Sequence, residues 1–543
     1  MNQDITWIDW WIIAAYCVGL LAMAWWLARR QESREDYYVA GREVGPWPVG
    51  LSIMATQCST NSILGAPAFV AFAAGGGLLW LQYELAVPLA MVVLILFAMP
   101  LFRHLRLVSV YAYLEQRFDL PTRLTLSGLF LFVRAFATAV TVYSIALVID
   151  LITGLGFVAS VLLLGAFTVV YDVMGGIRGV IYSDVIQLLI LAVMLVLVLV
   201  FLVDASGGFG EMWQAFASER KTTLDFSHHG LGDGETFAFW PMLLGGLFLY
   251  VSYYGCDQSQ VQRQLSTRDI DATNSALMIN GLLRFPLVLL YCLVGVGIAA
   301  YATRHPEFIV ALPDSGGGPE YNLAVPLYMI NALPAGLVGL SLVALFAAAM
   351  SSLDSVLNSL SATTMEDFVR RFHRGSWTAH KELILSRVLT TVWGVITLVM
   401  AFYVDNIATT VLEAINKIGS LANGPILAVF ALGFLTHRVR GPHAIAGLLL
   451  GIAGNGVCWI FLPEISWLWW NVIGFAVAVS VALVLSILPV AANREPQWVN
   501  KDVYEADIRG YLKAEAKRNW YRRSLWLVAW FFCLLAVLFA IGG

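Results

Sequence analysis

The stretch Ala348-Ala349-Met350-Ser351-Ser352-Leu353-Asp354-Ser355 lies inside an apolar segment that is long enough to cross a bilayer. At 3.6 residues per turn, positions 348, 351, 352 and 355 lie on one face of a helix, and position 354 lies at its edge. Polar groups in hydrocarbon are costly unless they meet a partner, so this face predicts a functional site. Its hydroxyls and single carboxylate are hard oxygen ligands, which suit a hard cation such as sodium rather than a soft metal.

The composition around this stretch is that of a membrane protein. The chain has 543 residues, of which 59% are hydrophobic and 13% are charged, and its mean hydropathy is +0.76. A soluble protein carries about 25% charged residues. At about 20 residues per span we expect an all-α polytopic membrane protein with about fourteen transmembrane helices. The predicted spans lie near 9–29, 46–74, 78–102, 124–153, 156–174, 180–203, 237–256, 275–302, 332–365, 383–404, 410–435, 442–462, 466–489 and 524–541.

Lysine and arginine residues divide unequally between the two sides of these spans. Of the 32 basic residues, 26 fall in segments on one side, among them Arg263 in the loop after the seventh span, three (Arg220, Lys221 and Arg304) fall on the other, and three lie inside spans. Loops rich in lysine and arginine face the cytoplasm. We therefore expect this basic side to be cytoplasmic and both chain termini to lie outside. One miscounted span would mix the two groups, so the division supports the count of fourteen.

Two of the spans carry residues that interrupt a helix. The second span contains Ala55-Thr56-Gln57-Cys58-Ser59-Thr60-Asn61-Ser62, whose polar side chains compete for backbone hydrogen bonds. The seventh ends in a similarly polar, glycine-containing run from Tyr250 to Gln258. Close packing of small residues between helices is the alternative for the second span. Discontinuous helices five spans apart are what an inverted repeat of five plus five helices predicts.

This repeat defines the expected organisation of the chain. A first transmembrane helix and a cytoplasmic loop precede the repeated core, and additional helices follow it. The charged segment near the C-terminus is predicted to be cytoplasmic and to contain an interfacial helix. The predicted units are 1–45, the transport core 46–436 with repeats 46–205 and 236–436, and the C-terminal helices 437–543 with the charged segment 490–523.

Arg134 and Asp184 are charged residues inside predicted spans. A buried guanidinium requires an acidic partner or an anionic ligand, and its planar fork suits a carboxylate. We expect Arg134 to bind a ligand, and the alternative is a structural ion pair with Glu84, Asp150 or Asp354. Asp184 begins the sixth span, where it is either the N-cap of that helix or a cation ligand or relay facing the hydroxyl cluster of the ninth span.

Several short motifs follow one another along about 400 residues of the chain. They are Glu35-Asp36-Tyr37-Tyr38-Val39-Ala40-Gly41-Arg42, Tyr111-Ala112-Tyr113-Leu114-Glu115-Gln116-Arg117-Phe118, Gly175-Gly176-Ile177-Arg178-Gly179-Val180, Asp257-Gln258 with Val261-Gln262-Arg263, Ser351-Ser352, and Gly424-Pro425 with Phe430 and Gly433. Each motif alone is weak evidence for a particular family, but the motifs in this order and at this spacing are specific to one. The chain resembles the sodium/solute symporter family, which includes sodium-glucose, proline, iodide, monocarboxylate, multivitamin and sialic-acid transporters. The resemblance implies the inverted-repeat fold of the leucine-transporter class, with broken first and sixth core helices.

The resemblance also implies a main sodium site, with Na+ as the coupling ion. In the family this site takes backbone carbonyls from the broken first core helix and from the eighth core helix, together with hydroxyls of the latter. The matching positions here are Ala55, Cys58 and Ala348 for the carbonyls, and Ser351 and Ser352 for the hydroxyls.

A second sodium site occurs in some members of the family. Its matching positions are Asp184, Ser351, Asp354 and Ser355. Position 354 is an aspartate where the family pattern has serine or threonine. Three readings stay open, namely a more strongly charged second sodium site, a protonatable site, or a salt bridge that abolishes the site.

The resemblance further assigns a substrate site. In sialic-acid transporters an arginine at the position of Arg134 holds the substrate carboxylate, whereas the pattern of the sugar and iodide members lacks this arginine. Polar residues of the first two core helices and a tyrosine of the sixth are expected beside it. These substrate-binding positions are Gln57, Ser59, Ser62, Gln82, Arg134 and Tyr253.

These features together predict a sodium-coupled secondary active symporter that imports a small organic solute by alternating access. The arginine favours a carboxylate such as a sialic acid or a monocarboxylate, and the alternatives are a sugar, amino-acid or vitamin symporter or a transporter-like sensor. No nucleophile–base pair typical of an enzyme is recognisable. The expected partners are an anionic solute, sodium and the lipid bilayer of a bacterial plasma membrane, without nucleic acid. A monomer is plausible.

Overall fold

The fold is taken from a computed structural model that describes residues 5–58, 60–313, 318–373, 375–404, 411–487 and 520–542. The side chains of residues 60–61, 151–152 and 411–418 are not described. Three predictions therefore lie outside the described residues: the substrate contact of Ser59, the 490–519 part of the charged segment, and an ion pair of Glu413 with Lys417 that their helical spacing favours.

Within the described residues the chain is built from helices. Short 3₁₀ turns (Ala40–Arg42, Ser218–Arg220, Tyr321–Leu323) and π-helical segments (Leu94–Ala98, Pro241–Gly245, Thr364–Val369) adjoin them. The helices are α1 (Trp7–Ala28), α2 (Arg34–Val39), α3 (Pro46–Gln57), α4 (Thr60–Ala71), α5 (Trp80–Tyr83), α6 (Ala86–Val93), α7 (Met99–His104), α8 (Ala112–Arg117), α9 (Leu120–Thr153), α10 (Phe157–Ala205), α11 (Phe209–Ala215), α12 (Gly246–Cys256), α13 (Gln258–Leu265), α14 (Ile270–Arg304), α15 (Pro306–Val310), α16 (Ala324–Ala332), α17 (Leu337–Thr363), α18 (Arg370–Phe372), α19 (Ala379–Ala401), α20 (Val411–Leu435), α21 (Gly441–Phe461), α22 (Trp469–Leu485) and α23 (Trp520–Gly542).

Nine helical stretches in the described part of the chain are long and apolar enough to cross a membrane. Three shorter apolar helices, Ser62–Ala71, Gly419–Leu435 and Trp469–Leu485, add to them. An all-helical, multi-pass membrane protein is therefore confirmed. The count of fourteen spans stays a prediction.

The capping residues explain where several helices begin. The carboxylate of Asp119 accepts a hydrogen bond from the backbone N–H of Thr122 at 2.9 Å and starts α9. Asp269 does the same for α14 through the N–H of Ala272 at 2.7 Å. Aspartate is a strongly preferred N-cap because its side chain satisfies one of the free N–H groups of the first turn.

Two predicted spans, 156–174 and 180–203, belong to the single element α10. A straight helix of this length would reach about 74 Å, more than twice the hydrocarbon thickness of a bilayer. Its path breaks at Gly176, where φ is 56° and ψ is −164°. The break divides α10 into two segments, each of a length that can cross a bilayer.

We expect Gly176→Ala to destabilise the protein. Its backbone conformation is essentially confined to glycine, and forcing another residue into it costs about 1–3 kcal/mol. An added Cβ would also lie 2.9 Å from the backbone oxygen of Tyr37. The measurement is the melting temperature in detergent, with Gly128→Ala of α9 as the control, because a Cβ at Gly128 meets open space. Equal melting temperatures for the two variants would contradict this account.

Helix α17 lies at the centre of the fold. In the apolar 18-residue stretch of its span Leu337–Phe372, 78% of the residues are buried, whereas the corresponding stretch of α1 has only 17% of its residues buried. α17 packs against α10, α9 and α1, and it also contacts α3. α20, α21 and α22 pack against one another at the C-terminal side of the core. The polar stretch 348–355 is thereby held against α3 and α10.

Candidate functional site

A cavity of about 760 Å³ lies among α4, α9, α12, α14 and α17. It extends from Ser352 and Asp257 to the loop residues Ala74 and Glu320. Binding pockets for small molecules usually have volumes of 300–1,000 Å³. The cavity can therefore hold a small organic solute.

Arg134 lines this cavity and pairs with Asp257. Its Nε lies 2.6 Å from Asp257 Oδ2, and its Nη2 lies 2.5 Å from the same oxygen. The two side chains are 22% and 13% exposed. The alternative partners Glu84, Asp150 and Asp354 were wrong, because the acidic group that faces Arg134 comes from the junction between α12 and α13.

Three further predicted substrate residues line the same cavity, namely Gln57, Ser62 and Tyr253. The ring of Tyr253 lies under the guanidinium of Arg134, with 5.1 Å between Cζ and the ring centroid. The carbonyl oxygen of the Gln57 side chain accepts a hydrogen bond from the hydroxyl of Tyr254. The structure thus brings residues from α3, α4, α9 and α12 to one wall.

Gln82 takes a different place from the one predicted for it. It is fully buried and is absent from the described residues that line the cavity. Its side-chain amide donates to the carbonyl of Phe237 at 2.8 Å and accepts from the N–H of Asp225 at 3.2 Å. These bonds tie α5 to the loop before α12, which gives Gln82 a structural role in this conformation.

A second ion pair, between Arg284 and Glu84, forms part of the cavity wall. Arg284 Nε donates to Glu84 Oε2 at 3.1 Å, and its Nη1 donates to the sulfur of Cys58 at 2.6 Å. Both charged side chains are almost fully buried. Because a buried charge must be paired, this contact gives Arg284 a structural role. The sequence did not indicate its partner.

The predicted main sodium site divides between two helices. On α17, the hydroxyls of Ser351 and Ser352 donate to the carbonyl oxygen of Ala348 at 3.2 and 3.5 Å. Three oxygens that can act as cation ligands therefore lie close together. On the other side, Ala55 is near the end of α3, and Cys58 follows that end with a non-helical ψ of 62°. An all-oxygen donor set without a carboxylate suits sodium.

Contacts between α3 and α17 bring these two groups together. The hydroxyls of Thr56 and Ser355 lie 3.3 Å apart. Thr56 follows Ala55 in the chain, and Ser355 lies one turn beyond Ser351. The end of α3 is therefore held close to the hydroxyl cluster of α17.

The predicted second sodium site is occupied by an arginine that the charge count had placed in a loop. Arg263 is fully buried in α13, and its guanidinium lies 3.4 Å from Asp184 Oδ2 and donates to Ser355 Oγ. Ser52 Oγ donates to Asp184 at 2.5 Å and accepts from Arg263 at 2.8 Å. Asp184 is not an N-cap, because it lies within α10.

Asp354 remains the least explained member of the cluster. One of its oxygens accepts from the hydroxyl of Ser355 at 3.1 Å, and the other has no hydrogen-bond partner among the described residues. Asp172 of α10 is also fully buried, and neither of its oxygens has such a partner. In this conformation Asp354 forms no salt bridge with the described residues, so it does not itself close the second site.

Removal of the charge of Arg263 is expected to destabilise the protein. Arg263→Met would leave Asp184 buried and unpaired, which costs about 3–5 kcal/mol. The double variant Arg263→Met/Asp184→Asn should regain much of that loss, because both charges are then gone. Thermal melting in detergent measures both, and Arg268→Met, at an exposed arginine, is the control. A double variant no more stable than the single one would contradict the pairing.

Comparison with known proteins places this chain in a family. Residues 37–451 match the model of the sodium:solute symporter family. The sodium/sialic acid symporter NanT of Aliivibrio fischeri is 31% identical over 86% of this chain and 90% of its own length. The sodium-dependent multivitamin transporter of Oryctolagus cuniculus is 32% identical over 76% of this chain and 64% of its own length.

A solved structure agrees with these relatives. The substrate-bound, outward-open state of a Na+-coupled sialic acid symporter superposes with a TM-score of 0.81 and 25% identity, and the match covers 91% of this chain and all of that one. Sequence and fold thus agree over most of the length. The chain belongs to the sodium:solute symporter family.

Proposed function

We propose that this protein couples the entry of sodium to the import of a small organic solute that carries a carboxylate. The observation that carries the proposal is Arg134, a partly exposed guanidinium in a cavity of suitable volume. Ser352 of the candidate sodium site lines the same cavity. The likeness to the sodium/sialic acid symporter NanT and to the solved structure of a sialic acid symporter supports a sialic acid as the first solute to test.

The proposed mechanism is alternating access around this cavity. Sodium supplies positive charge at the junction of α3 and α17, where the carbonyls of Ala55, Cys58 and Ala348 and the hydroxyls of Ser351 and Ser352 would hold it. Those residues join the two halves of the core, and Arg134 orients the solute. If two sodium ions enter with one monoanion, one net charge moves inward, which is worth about 2.3 kcal/mol per 100 mV of membrane potential.

The second cation site is proposed for a different conformation from the one described. Asp184 and Ser355 are now engaged by Arg263, so a cation could use Asp184, Asp354 and Ser355 only after that guanidinium moves. We assign the coupling ion to the main site for this reason.

The proposed setting is the plasma membrane of a bacterium, with the arginine-rich side in the cytoplasm and both termini outside. The proposed core has five plus five helices, and fourteen spans are proposed in all. The two broken helices of this core are proposed to be α3 with α4 and α12 with α13. In each pair the second helix begins after a gap of one or two residues from the end of the first, which supports the proposal. Interrupted helices at a midplane site are typical of secondary transporters.

A thermal-shift screen tests the proposed function. The purified protein is melted with N-acetylneuraminic acid, propionate, glucose or proline, each in sodium chloride and in choline chloride. A ligand stabilises by mass action, and a coupled ligand does so more strongly with its co-ion. We expect a carboxylate to raise the melting temperature, and to do so more in sodium. A shift that is equal in both salts, or that only glucose produces, would contradict the proposal.

A further inference from the structure

The carboxylate-binding edge of Arg134 is already in use. Both Nε and Nη2 contact the single oxygen Oδ2 of Asp257. The other oxygen, Oδ1, accepts from the N–H and the hydroxyl of Ser259 at 2.8 and 2.5 Å. Asp257 is thereby held in place as the N-cap of α13, with Oδ2 directed at the guanidinium.

The charges along the cavity do not favour an anion by themselves. Among the described lining residues, Arg134 and Arg284 are positive, and Glu84, Asp257 and Glu320 are negative. A solute carboxylate that takes Arg134 therefore arrives beside the carboxylate of Asp257. Like charges at short range repel, and removing one partner from a largely buried pair leaves the other unsatisfied.

A hydrogen-bond donor on the solute would remove both penalties. When Arg134 turns its N–H groups to the solute carboxylate, Oδ2 of Asp257 needs another donor close to that carboxylate. A hydroxyl or an ammonium group on the adjacent carbon is at the right distance, since two bonds separate its oxygen or nitrogen from the carboxylate carbon. A solute without such a donor leaves Oδ2 unpaired.

We propose that Asp257 is a specificity-determining residue, which selects carboxylates that carry a hydroxyl or ammonium group on the carbon next to the carboxylate. The inference rests on the proposed function and names the substrate class of the same cavity. It assigns to Asp257 a contact with the solute, in addition to its capping of α13.

The position of Asp257 agrees with this role. It lies between α12 and α13 with φ −90° and ψ 124°, so its backbone is non-helical and its side chain turns toward the cavity wall. Tyr253 covers one face of the guanidinium, and its hydroxyl accepts from Gln260 at 2.9 Å. Arg134 thus lies between a held ring and a held carboxylate, so a solute carboxylate that takes its Nε and Nη2 groups must bind directly beside Asp257.

The test uses two pairs of probes that differ at the neighbouring carbon. Lactate and propionate differ by one hydroxyl and are the matched pair. N-acetylneuraminic acid and its 2-deoxy-2,3-didehydro derivative differ in the hydroxyl beside the carboxylate and also in a ring double bond, so this second pair supports the first. Affinities are measured in sodium chloride by calorimetry or thermal shift. We expect the wild-type protein to prefer the hydroxylated member by about tenfold, since a site built to bind a hydroxyl rejects the analogue that lacks it.

Asp257→Asn removes the charge and should bring this ratio close to one, chiefly by improving the binding of the hydroxyl-free acid. Asp257→Glu keeps the carboxylate and should keep the preference, which guards against a general loss of structure. Glu307→Gln removes the charge of an exposed acid that does not line the cavity and should keep the wild-type ratio.

Three outcomes would overturn the inference. An equal ratio in the wild-type protein and in Asp257→Asn rejects the role of Asp257. A wild-type ratio of one, with sodium-dependent binding of the carboxylates intact, rejects it and leaves the proposed function standing. Failure of the wild-type protein to bind either member of both pairs rejects this inference together with the proposed carboxylate substrate.

Discussion

Ser352→Ala is expected to abolish sodium-dependent uptake and to weaken sodium binding by at least about tenfold. The Ser352 hydroxyl is one of the converging oxygens of the candidate site and lines the solute cavity. Alanine offers no lone pair, so a sodium ion loses one ligand and keeps the cost of its dehydration. Each tenfold loss corresponds to about 1.4 kcal/mol of binding free energy.

The measurement is uptake of N-acetylneuraminic acid into proteoliposomes as a function of the sodium concentration. Ser359→Ala is the matched control, because Ser359 lies on the same helix, is fully buried and bonds the backbone of Val356 at 2.9 Å. We expect that control to keep the wild-type sodium dependence. Sodium-independent uptake by the wild-type protein, or normal sodium dependence in Ser352→Ala, would remove the site from this part of α17.

The helical class and the polar face of α17 could be predicted because they depend on local patterns. Hydropathy over about 20 residues is a property of one segment, and residues three and four apart share a face on any helix. Element boundaries were less accurate where a single residue changes the path. The gap predicted between 174 and 180 is in fact one break at Gly176.

Partners across the fold could not be predicted from one sequence. Arg134 was expected to bind a ligand, and Glu84, Asp150 and Asp354 were the partners considered for the alternative, an ion pair. Its partner Asp257 lies 123 positions away at a helix junction. No spacing rule connects two helices that are brought together by packing. The polar run at the end of the seventh predicted span indicated a broken helix near Asp257. It did not indicate which other helix that residue would face.

Arg263 shows the limit of the charge count most clearly. An arginine near the end of a span was counted with the loops because most such residues face water. It is fully buried and binds Asp184, Ser52 and Ser355 instead. The glutamines around it in α13 are also buried, and such a polar helix can be stable inside the protein only if its side chains are hydrogen-bonded there.

Arg134→Ala is expected to lower the affinity for carboxylate solutes by about a hundredfold while sodium binding persists. The guanidinium is the proposed anchor for the solute carboxylate, and a charge-assisted bidentate contact is worth more than a neutral hydrogen bond. The single variant also leaves Asp257 unpaired. Arg134→Ala/Asp257→Asn therefore separates the loss of the anchor from the cost of that unpaired charge.

Arg134→Lys refines the interpretation, because lysine keeps the charge but lacks the planar fork. We expect an affinity between those of the wild-type protein and Arg134→Ala if bidentate geometry matters. The measurement is the binding of N-acetylneuraminic acid in sodium chloride, together with the sodium-induced thermal shift in the absence of solute. Unchanged solute affinity in Arg134→Ala would make the pair with Asp257 purely structural. Loss of the sodium shift as well would mean that the variant has lost its fold rather than its anchor, and only an intact shift with a lost solute assigns Arg134 to carboxylate binding.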